Sequence, residues 1–332
     1  MRRFIFALAV AGLAAPAAQA ADPAQLKFGF PAPPQSFLKT KVFDAWVADA
    51  NAAMAGAAEI KMFVGPVLGD FRNIYDRTIA GVADLSFGIF GPIGNQFPKT
   101  LVVSLPFETR DAIETSVVSW RLLASGLTAA EQSKVKTLAL FSFPSASVHL
   151  DKGIANVQGM KGLKLSVSTK LIGQVIENLG ASPVAIPPTD TYQSLSRGVI
   201  QGIVTSWNAF QTFKLAEVTR HHIEAPLGAS PAFLFMNKDS FARLPEAARK
   251  AIEARTGESL SRRLGVAVDQ DEAANRNRVK ALAGQTIAGI PAAEMGVWRQ
   301  AAQKAVDGWV ADTEDGAKLL AALRAEVAKH RR

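Results

Sequence analysis

Cysteine is absent from the 332-residue chain, and histidine occurs only at positions 149, 221, 222 and 330. The absence of cysteine excludes disulfides, thiolate zinc sites, iron–sulfur clusters and cysteine nucleophiles. The only adjacent imidazoles are His221 and His222, and neighbours on a strand point to opposite faces, so they cannot both face one metal ion. We therefore expect no imidazole-based metal site, and a surface or strand-end position for this pair.

Motifs that carry catalysis are missing as well. The sequence contains no GxGxxG, GxxxxGK[ST], HExxH or CxxC pattern. The chain therefore lacks the motifs of phosphate-binding loops, zinc proteases and dithiol redox sites. Two stretches, Gly180-Ala181-Ser182 and Gly228-Ala229-Ser230, begin like a nucleophile elbow but lack its closing glycine. We expect no enzymatic activity and no cofactor.

The excess of positive charge is small. There are 37 Lys and Arg against 29 Asp and Glu, a formal charge of +8. The basic residues form no block interleaved with aromatic residues, as nucleic-acid-binding surfaces do. We expect no nucleic-acid partner.

The first twenty residues have the pattern of an export signal. A basic start, Met1-Arg2-Arg3, precedes an apolar run from Phe4 to Leu13 and the small-residue signal Ala18-Gln19-Ala20. The sequence predicts a signal peptide over 1–20, cleavage after Ala20 and a periplasmic location. No later run approaches the length of a membrane span, so we expect that the mature protein does not span the membrane.

Strand and helix patterns alternate along the rest of the chain. Leu26 to Phe30, Lys41 to Met54 and Glu59 to Val64 predict a βαβ unit. A further strand is predicted over Leu101 to Leu105, and one long helix over Pro245 to Ala283. The alternation predicts an α/β protein of two lobes, with lobe I formed by 21–143 plus 231–275 and lobe II by 144–230 plus 276–332. A ligand is expected in the crevice where the carboxyl ends of strands meet.

Several motifs in order resemble one family over nearly the whole mature chain. They are Gly162-Leu163-Lys164-Leu165, the stretch from Leu179 to Val184, and Tyr192-Gln193-Ser194-Leu195-Ser196-Arg197-Gly198-Val199-Ile200-Gln201-Gly202. The chain thereby resembles the solute-binding proteins of tripartite ATP-independent periplasmic (TRAP) transporters, of the dicarboxylate-binding type.

The resemblance implies a two-lobe periplasmic solute-binding fold with hinge strands and a long connecting helix. It implies a monomer that closes on a small organic solute and delivers it to the small and large permease subunits of the membrane. The alternative is a periplasmic sensor that reports the solute to a membrane signalling protein.

Departures from the family pattern bear on the ligand. Where the family has an arginine that binds a carboxylate bidentately, this chain has Ser166, and Ser145 aligns with a second frequent arginine. One hypothesis is an anion held at the helix start that follows Ser166, by Ser168, Thr169 and Lys170. The other is a neutral or weakly charged, partly apolar ligand held by aromatic side chains with hydroxyls for orientation.

Strand ends, aromatic character and hydrogen-bonding capacity, together with the family positions of Ser145 and Ser166, select the candidate ligand-binding residues. They are Phe30, Phe87, Phe90, Ser145, Ser166, Ser168, Tyr192, Trp207, Asn208, Phe210 and Phe233. For several of them a purely structural role is the alternative, such as capping by the serines or core packing by Phe233.

Overall fold

The computed structural model describes residues 23–332. The predicted signal peptide therefore lies outside the described residues. Within 23–332, no helix combines the length and the apolar character that crossing a membrane requires.

Eleven strands and eleven α-helices make up the described part of the chain. The strands are β1 (Ala24–Phe30), β2 (Ala58–Val64), β3 (Leu85–Ile89), β4 (Val135–Phe143), β5 (Ser147–Leu150), β6 (Lys164–Val167), β7 (Ser182–Val184), β8 (Gly202–Thr205), β9 (His221–Glu224), β10 (Ser230–Asn237) and β11 (Thr286–Gly289). The helices are α1 (Asp44–Met54), α2 (Ile74–Ile79), α3 (Ala112–Ala124), α4 (Lys170–Asn178), α5 (Thr191–Ser196), α6 (Asn208–Phe213), α7 (Lys238–Ala242), α8 (Glu246–Glu253), α9 (Glu258–Lys280), α10 (Met295–Asp312) and α11 (Gly316–His330).

The first lobe contains a five-stranded sheet in the order β2-β1-β3-β10-β4. Strands β1, β2 and β3 run parallel, and β10 is antiparallel to both of its neighbours. Both faces of β10 are buried, because Leu234 packs into one hydrophobic core and Phe233 and Phe235 into another. This is why the strand reads as a continuous apolar run.

The second lobe contains a six-stranded sheet in the order β11-β9-β5-β8-β6-β7. The strands β6, β7 and β8 are parallel, whereas β5 runs antiparallel to β8 and β9. Thr169 caps α4 by accepting a hydrogen bond from the N–H of Ile172 at 3.2 Å. The chain passes between the sheets after β4 and again before β10, as predicted for hinge strands.

Helix α9 connects both sides of the molecule. Asp269 accepts hydrogen bonds from the N–H groups of Ala112 and Ile113, at 2.8 and 3.0 Å, at the start of α3. Glu272, one turn further along, accepts from the N–H groups of Trp207 and Asn208, at 3.0 and 2.8 Å, at the start of α6. One helix thus supplies the carboxylate caps of a helix beside the first sheet and of a helix beside the second.

Two local predictions are wrong. The segment predicted as a strand over Leu101–Leu105 is a 3₁₀-helix, Thr100–Ser104, whose side chains are buried. The long helix predicted over Pro245–Ala283 is divided into α8 and α9 by Gly257, whose φ of 84° is incompatible with a continuous right-handed helix. The pair His221 and His222 begins β9, as predicted for a strand-end position, and His222 is buried.

Candidate ligand-binding cleft

A cleft of about 690 Å³ separates the two lobes. The residues that follow the carboxyl ends of four strands line it, namely Gly91 after β3, Ser168 after β6, Ser206 after β8 and, two residues after β1, Ala32. Parallel strands bring their carboxyl ends to one edge of each sheet, and the two edges face each other here. The cleft therefore occupies the predicted crevice.

Aromatic rings line the first-lobe side of the cleft. Phe37, Phe71, Phe87 and Phe143 contribute to this wall. The ring of Phe71 meets that of Phe87 edge to face, with centroids 5.7 Å apart. Packed rings of this kind are held rigidly and offer a flat apolar surface to a ligand.

Hydroxyl groups and one face of α4 line the opposite side. Ser166 is 2% exposed, and its side chain makes no hydrogen bond within residues 23–332 although it borders the cleft. Lys170, Gly173, Gln174 and Glu177 follow at helical spacing along the same side. The second lobe thus presents polar groups to the aromatic wall.

The beginning of α4 is the electropositive point of the cleft. Helix geometry leaves the N–H groups of Lys170 and Leu171 without an intrahelical acceptor, and the helix dipole places partial positive charge there. Lys170 adds a full charge at the same helix end. Of the described residues that line the cleft, the other cation is Arg72, which is exposed and lies 3.9 Å from Asp190.

The two lobes touch across the cleft. The hydroxyls of Ser168 and Ser230 are 2.8 Å apart, and Gln35 donates a hydrogen bond to the carbonyl of Thr212 at 3.1 Å. Gly91 approaches Ser168 so closely that a Cβ at position 91 would overlap the Ser168 carbonyl oxygen. These contacts describe a closed arrangement of the lobes.

Four of the predicted residues meet in the cleft. They are Phe87, Ser166, Ser168 and Asn208. The amide of Asn208 is already committed, since it donates to the Val268 carbonyl at 2.9 Å and to Asp271 at 3.1 Å. Asn208 thus shapes the wall and has no free donor for a ligand.

Phe30, Phe90 and Phe233 are not among the lining residues. All three are fully buried in core clusters. Phe90 stacks on Phe233 with centroids 4.3 Å apart. Phe30 stacks behind the cleft residue Phe87, with centroids 5.3 Å apart, so proximity to a strand end did not suffice to place these rings at the site.

Trp207 and Phe210 also lie beneath the cleft wall. Trp207 is 2% exposed, and its indole N–H donates to Glu224 at 3.2 Å. Glu224 in turn forms a bidentate pair with Arg276, at 2.6 and 2.8 Å. The indole N–H is therefore already bonded to Glu224 of the second lobe, which Arg276 of α9 holds in place.

Ser145 and Tyr192 lie elsewhere. Ser145 belongs to the segment between β4 and β5 and does not line the cleft. Tyr192 borders a smaller depression beside it, and its hydroxyl donates to Glu217 at 2.8 Å. That bond is the main reason that the pKa of Tyr192 is raised.

Sequence reasoning missed the aromatic residues Phe37, Phe71, Phe143 and Phe213. Phe143 ends β4 and could have been found by the strand-end rule that selected Phe87. Phe37, Phe71 and Phe213 depend on the course of loops and short helices, for which the sequence carries no comparable signal.

Comparisons with known proteins agree with this geometry. The family model described as bacterial extracellular solute-binding protein, family 7 (DctP), matches residues 28–312. The chain belongs to this family. The assignment, together with two lobes around a cleft, places it among solute-binding proteins and not among enzymes.

Two solved structures of TRAP solute-binding proteins share the fold of this DctP-family chain. One, from a marine metagenome, is specific for aromatic acid ligands and contains 3-hydroxybenzoate; it is 25% identical, with a TM-score of 0.88 over 93% of this chain and 99% of that one. The other, from Rhodoferax ferrireducens, contains copurified benzoate; it is 30% identical, with a TM-score of 0.87 over 93% and 98% of the chains.

A curated solute-binding protein of Chromohalobacter salexigens is 24% identical over 222 residues. The alignment spans 66% of this chain and 66% of that relative.

Within residues 23–332, no group of three or more potential metal-ligating His, Cys, Asp or Glu side chains occurs.

Proposed function

We propose that this protein is the periplasmic solute receptor of a TRAP transporter and that its solute is an aromatic monocarboxylate. The observation that carries the proposal is the combination, within one cleft, of a phenylalanine wall with Ser166, a buried serine near the end of β6 whose side chain makes no hydrogen bond within residues 23–332, and the start of α4 four residues later. A ligand with an apolar ring at one end and an anion at the other matches both sides.

The phenylalanine rings of the first-lobe wall are suited to bind an aromatic ring of the proposed ligand. Phe71, Phe87 and Phe143 offer ring faces and edges, and aromatic pairs of this geometry contribute about 0.5–1.5 kcal/mol beyond the burial of their area. The two similar solved structures, which contain 3-hydroxybenzoate and benzoate, support a solute of this class.

The groups at Ser166 and at the start of α4 are suited to bind the carboxylate of the proposed ligand. The Ser166 hydroxyl can donate one hydrogen bond, the free N–H groups of the first helical turn can donate others, and Lys170 compensates the charge. This arrangement combines both hypotheses from the sequence: the anion is held without arginine, and the body of the ligand is apolar.

A single carboxylate fits better than two. The cleft offers a second carboxylate little charge compensation, because the remaining lining cation, Arg72, is exposed and lies 3.9 Å from Asp190. Burying an unpaired carboxylate against apolar rings is strongly unfavourable.

The partners and location belong to the same proposal. The receptor would deliver its solute to the small and large permease subunits, act as a monomer, and reach the periplasm through the predicted signal peptide. The lobe boundaries given above remain our proposal for the two moving units, with crossings near 143 and, because Ser230 begins β10 of the first-lobe sheet, just before 230. The family and its relatives give no support to the alternative sensing role.

A thermal-shift assay of refolded mature protein, residues 21–332, tests the ligand class. Refolding removes copurified solute, and a ligand that binds only the folded state raises the melting temperature. We expect benzoate and 3-hydroxybenzoate to raise it, whereas benzamide and succinate do not.

Two variants assign the carboxylate end. Ser166→Ala should weaken benzoate binding, with Ser182→Ala on the exposed start of β7 as control. A response to succinate but not to benzoate would overturn the proposed solute class.

A further inference from the structure

Two histidines lie side by side beneath the floor of the cleft. His149 on β5 and His222 on β9 are directly paired across the sheet and are 0% and 2% exposed. Their Nδ1 atoms are 2.9 Å apart. The ring of His149 also meets that of Trp207 edge to face, with centroids 4.6 Å apart.

The pair belongs to a chain of four hydrogen bonds that ends on two backbone carbonyls. His149 Nε2 lies 3.0 Å from the carbonyl oxygen of Thr205, and His222 Nε2 lies 2.8 Å from Gln285 Oε1. At the far end, Gln285 Nε2 donates to the Ala216 carbonyl at 3.0 Å. Thr205 lines the cleft, so the chain reaches the ligand-facing surface.

The two carbonyl oxygens at the ends of this chain can only accept hydrogen bonds, and they therefore fix the number of hydrogens that the chain needs. The three contacts to imidazole nitrogens each need one hydrogen, but two neutral imidazoles carry only two. Turning the Gln285 amide around supplies a donor to His222 but then places its oxygen against the Ala216 oxygen. In either orientation, a neutral pair leaves one contact between two acceptors.

We infer that His149 and His222 take up one shared extra proton, which completes the chain of hydrogen bonds beneath Thr205 in the cleft floor. A second extra proton is excluded, because it would place two N–H groups against each other between the Nδ1 atoms. The link to the ligand rests on the proposed function: an anion in the cleft favours the positive form of the pair, so binding and protonation strengthen each other.

The surrounding charges set where this titration occurs. Burial lowers the pKa of both histidines, and His221 and Arg220 act in the same direction on His222. Glu224 opposes them but is shared with Arg276. The packed segments β5, β8, β11 and α6 add no other titratable side chain, and Glu217 nearby is bonded to Tyr192. The extra proton should therefore bind below the usual histidine range, at a pH under about 6.5.

A nitrogen NMR titration of the ligand-free protein decides the proton count. The double variant His221→Asn, His330→Asn leaves only the pair, and ¹⁵N-labelled imidazoles are followed from pH 8 to pH 4.5. We expect uptake of one proton per chain, shared by both rings, with the Thr205-bonded Nε2 of His149 protonated throughout. Uptake of no proton, of two, or by each ring independently would overturn the inference.

Binding of 3-hydroxybenzoate tests the link to the cleft. We expect its affinity to rise several-fold between pH 8 and pH 5.5 in the wild-type protein and in the double variant, and the rise to disappear in His222→Asn, whose fold is checked by its melting curve. An unchanged affinity over this range in the wild-type protein contradicts the link. If 3-hydroxybenzoate binds at no pH, the proposed solute class fails, while the nitrogen titration still decides the proton count.

Discussion

The two walls of the cleft differ in chemistry although each is built at the edge of a sheet. The first-lobe wall carries four phenylalanine rings, and the second-lobe wall combines hydroxyls and the polar face of α4 with apolar residues such as Ile186 and Phe213. A ligand must therefore have two unlike ends, and lobe closure is what brings both walls onto it at once. We expect that impairing lobe closure weakens binding most, that removing an aromatic ring weakens it less, and that removing the charge of Lys170 weakens it least.

Closure is the most sensitive step. Gly91→Ala places a methyl group where the Ser168 carbonyl lies in the closed arrangement, and we expect that only a more open arrangement of the lobes accommodates it. We expect benzoate affinity to fall by about 100-fold, as it does when about 1% of the chains can reach the competent state. Calorimetry should show this fall with an unchanged melting temperature.

Gly296→Ala on α10 is the matched control, because nothing lies near an added Cβ there. Wild-type affinity in Gly91→Ala would show that the ligand is bound without this contact.

The aromatic wall should contribute the next largest effect. Phe71→Ala removes a ring from the cleft, and loss of a fully buried phenylalanine contact is worth about 1.5–3 kcal/mol, or roughly 10- to 100-fold in affinity. Benzoate titrations measure the change. Phe241→Ala, which alters a half-buried ring that stacks against Lys136 away from the cleft, should leave affinity unchanged. Equal losses in both variants would refute a specific aromatic wall.

The charge on the polar wall should matter less. Lys170→Met is expected to weaken benzoate binding by about 2- to 5-fold, because exposed charges contribute about 0.2–1 kcal/mol and are screened by salt. The loss should shrink as salt is raised. Lys164→Met, at the opposite end of β6, is the control. A larger loss than in Phe71→Ala would reverse the proposed ranking of the walls.

Changing Glu272, through which α9 holds the start of α6, should have the smallest effect on affinity. It should have a measurable effect on the free energy of unfolding. Burial raises the pKa of Glu272 to about 8, although the two N–H groups that it accepts oppose the shift. The folded state then keeps this proton to higher pH than the unfolded state does. The free energy of unfolding should therefore fall as pH rises from about 4.5 to 8, by at most about 1.4 kcal/mol per pH unit.

Glu272→Gln removes that contribution, and chemical denaturation at several pH values should give a flatter profile. Some slope remains, because burial also raises the pKa of Asp269. A steeper profile in the variant would contradict the assignment.

Local patterns predicted the framework well. Hydrophobic periodicity gave the α/β lobes, the strand-end rule selected Phe87, and the family resemblance and the predicted helix start selected Ser166 and Ser168, all three of which line the crevice. This success has a physical reason: strand direction and the position of a strand end are encoded within a few residues.

Side-chain direction depended on distant partners. Trp207 follows a strand end, as Ser168 does, yet its indole turns away because Glu224 and Arg276 hold it from elsewhere in the chain. Phe71 and Phe213 reach the cleft through the course of loops and short helices. The buried partnership of His149 with His222 likewise results from the pairing of β5 with β9, which no local pattern reveals.

The two caps on α9 have a mechanical consequence. Asp269 and Glu272 are three residues apart, so the points at which the helix holds α3 and α6 are separated by only about 4.5 Å along its axis. A rotation that preserves both caps must pivot close to this turn, and displacement grows with distance from it. An optical reporter of solute capture should therefore carry its two dyes at Arg72 and Asp190, exposed residues that face each other at 3.9 Å and that make no contact with the capped turn of α9 among the described hydrogen bonds and ion pairs.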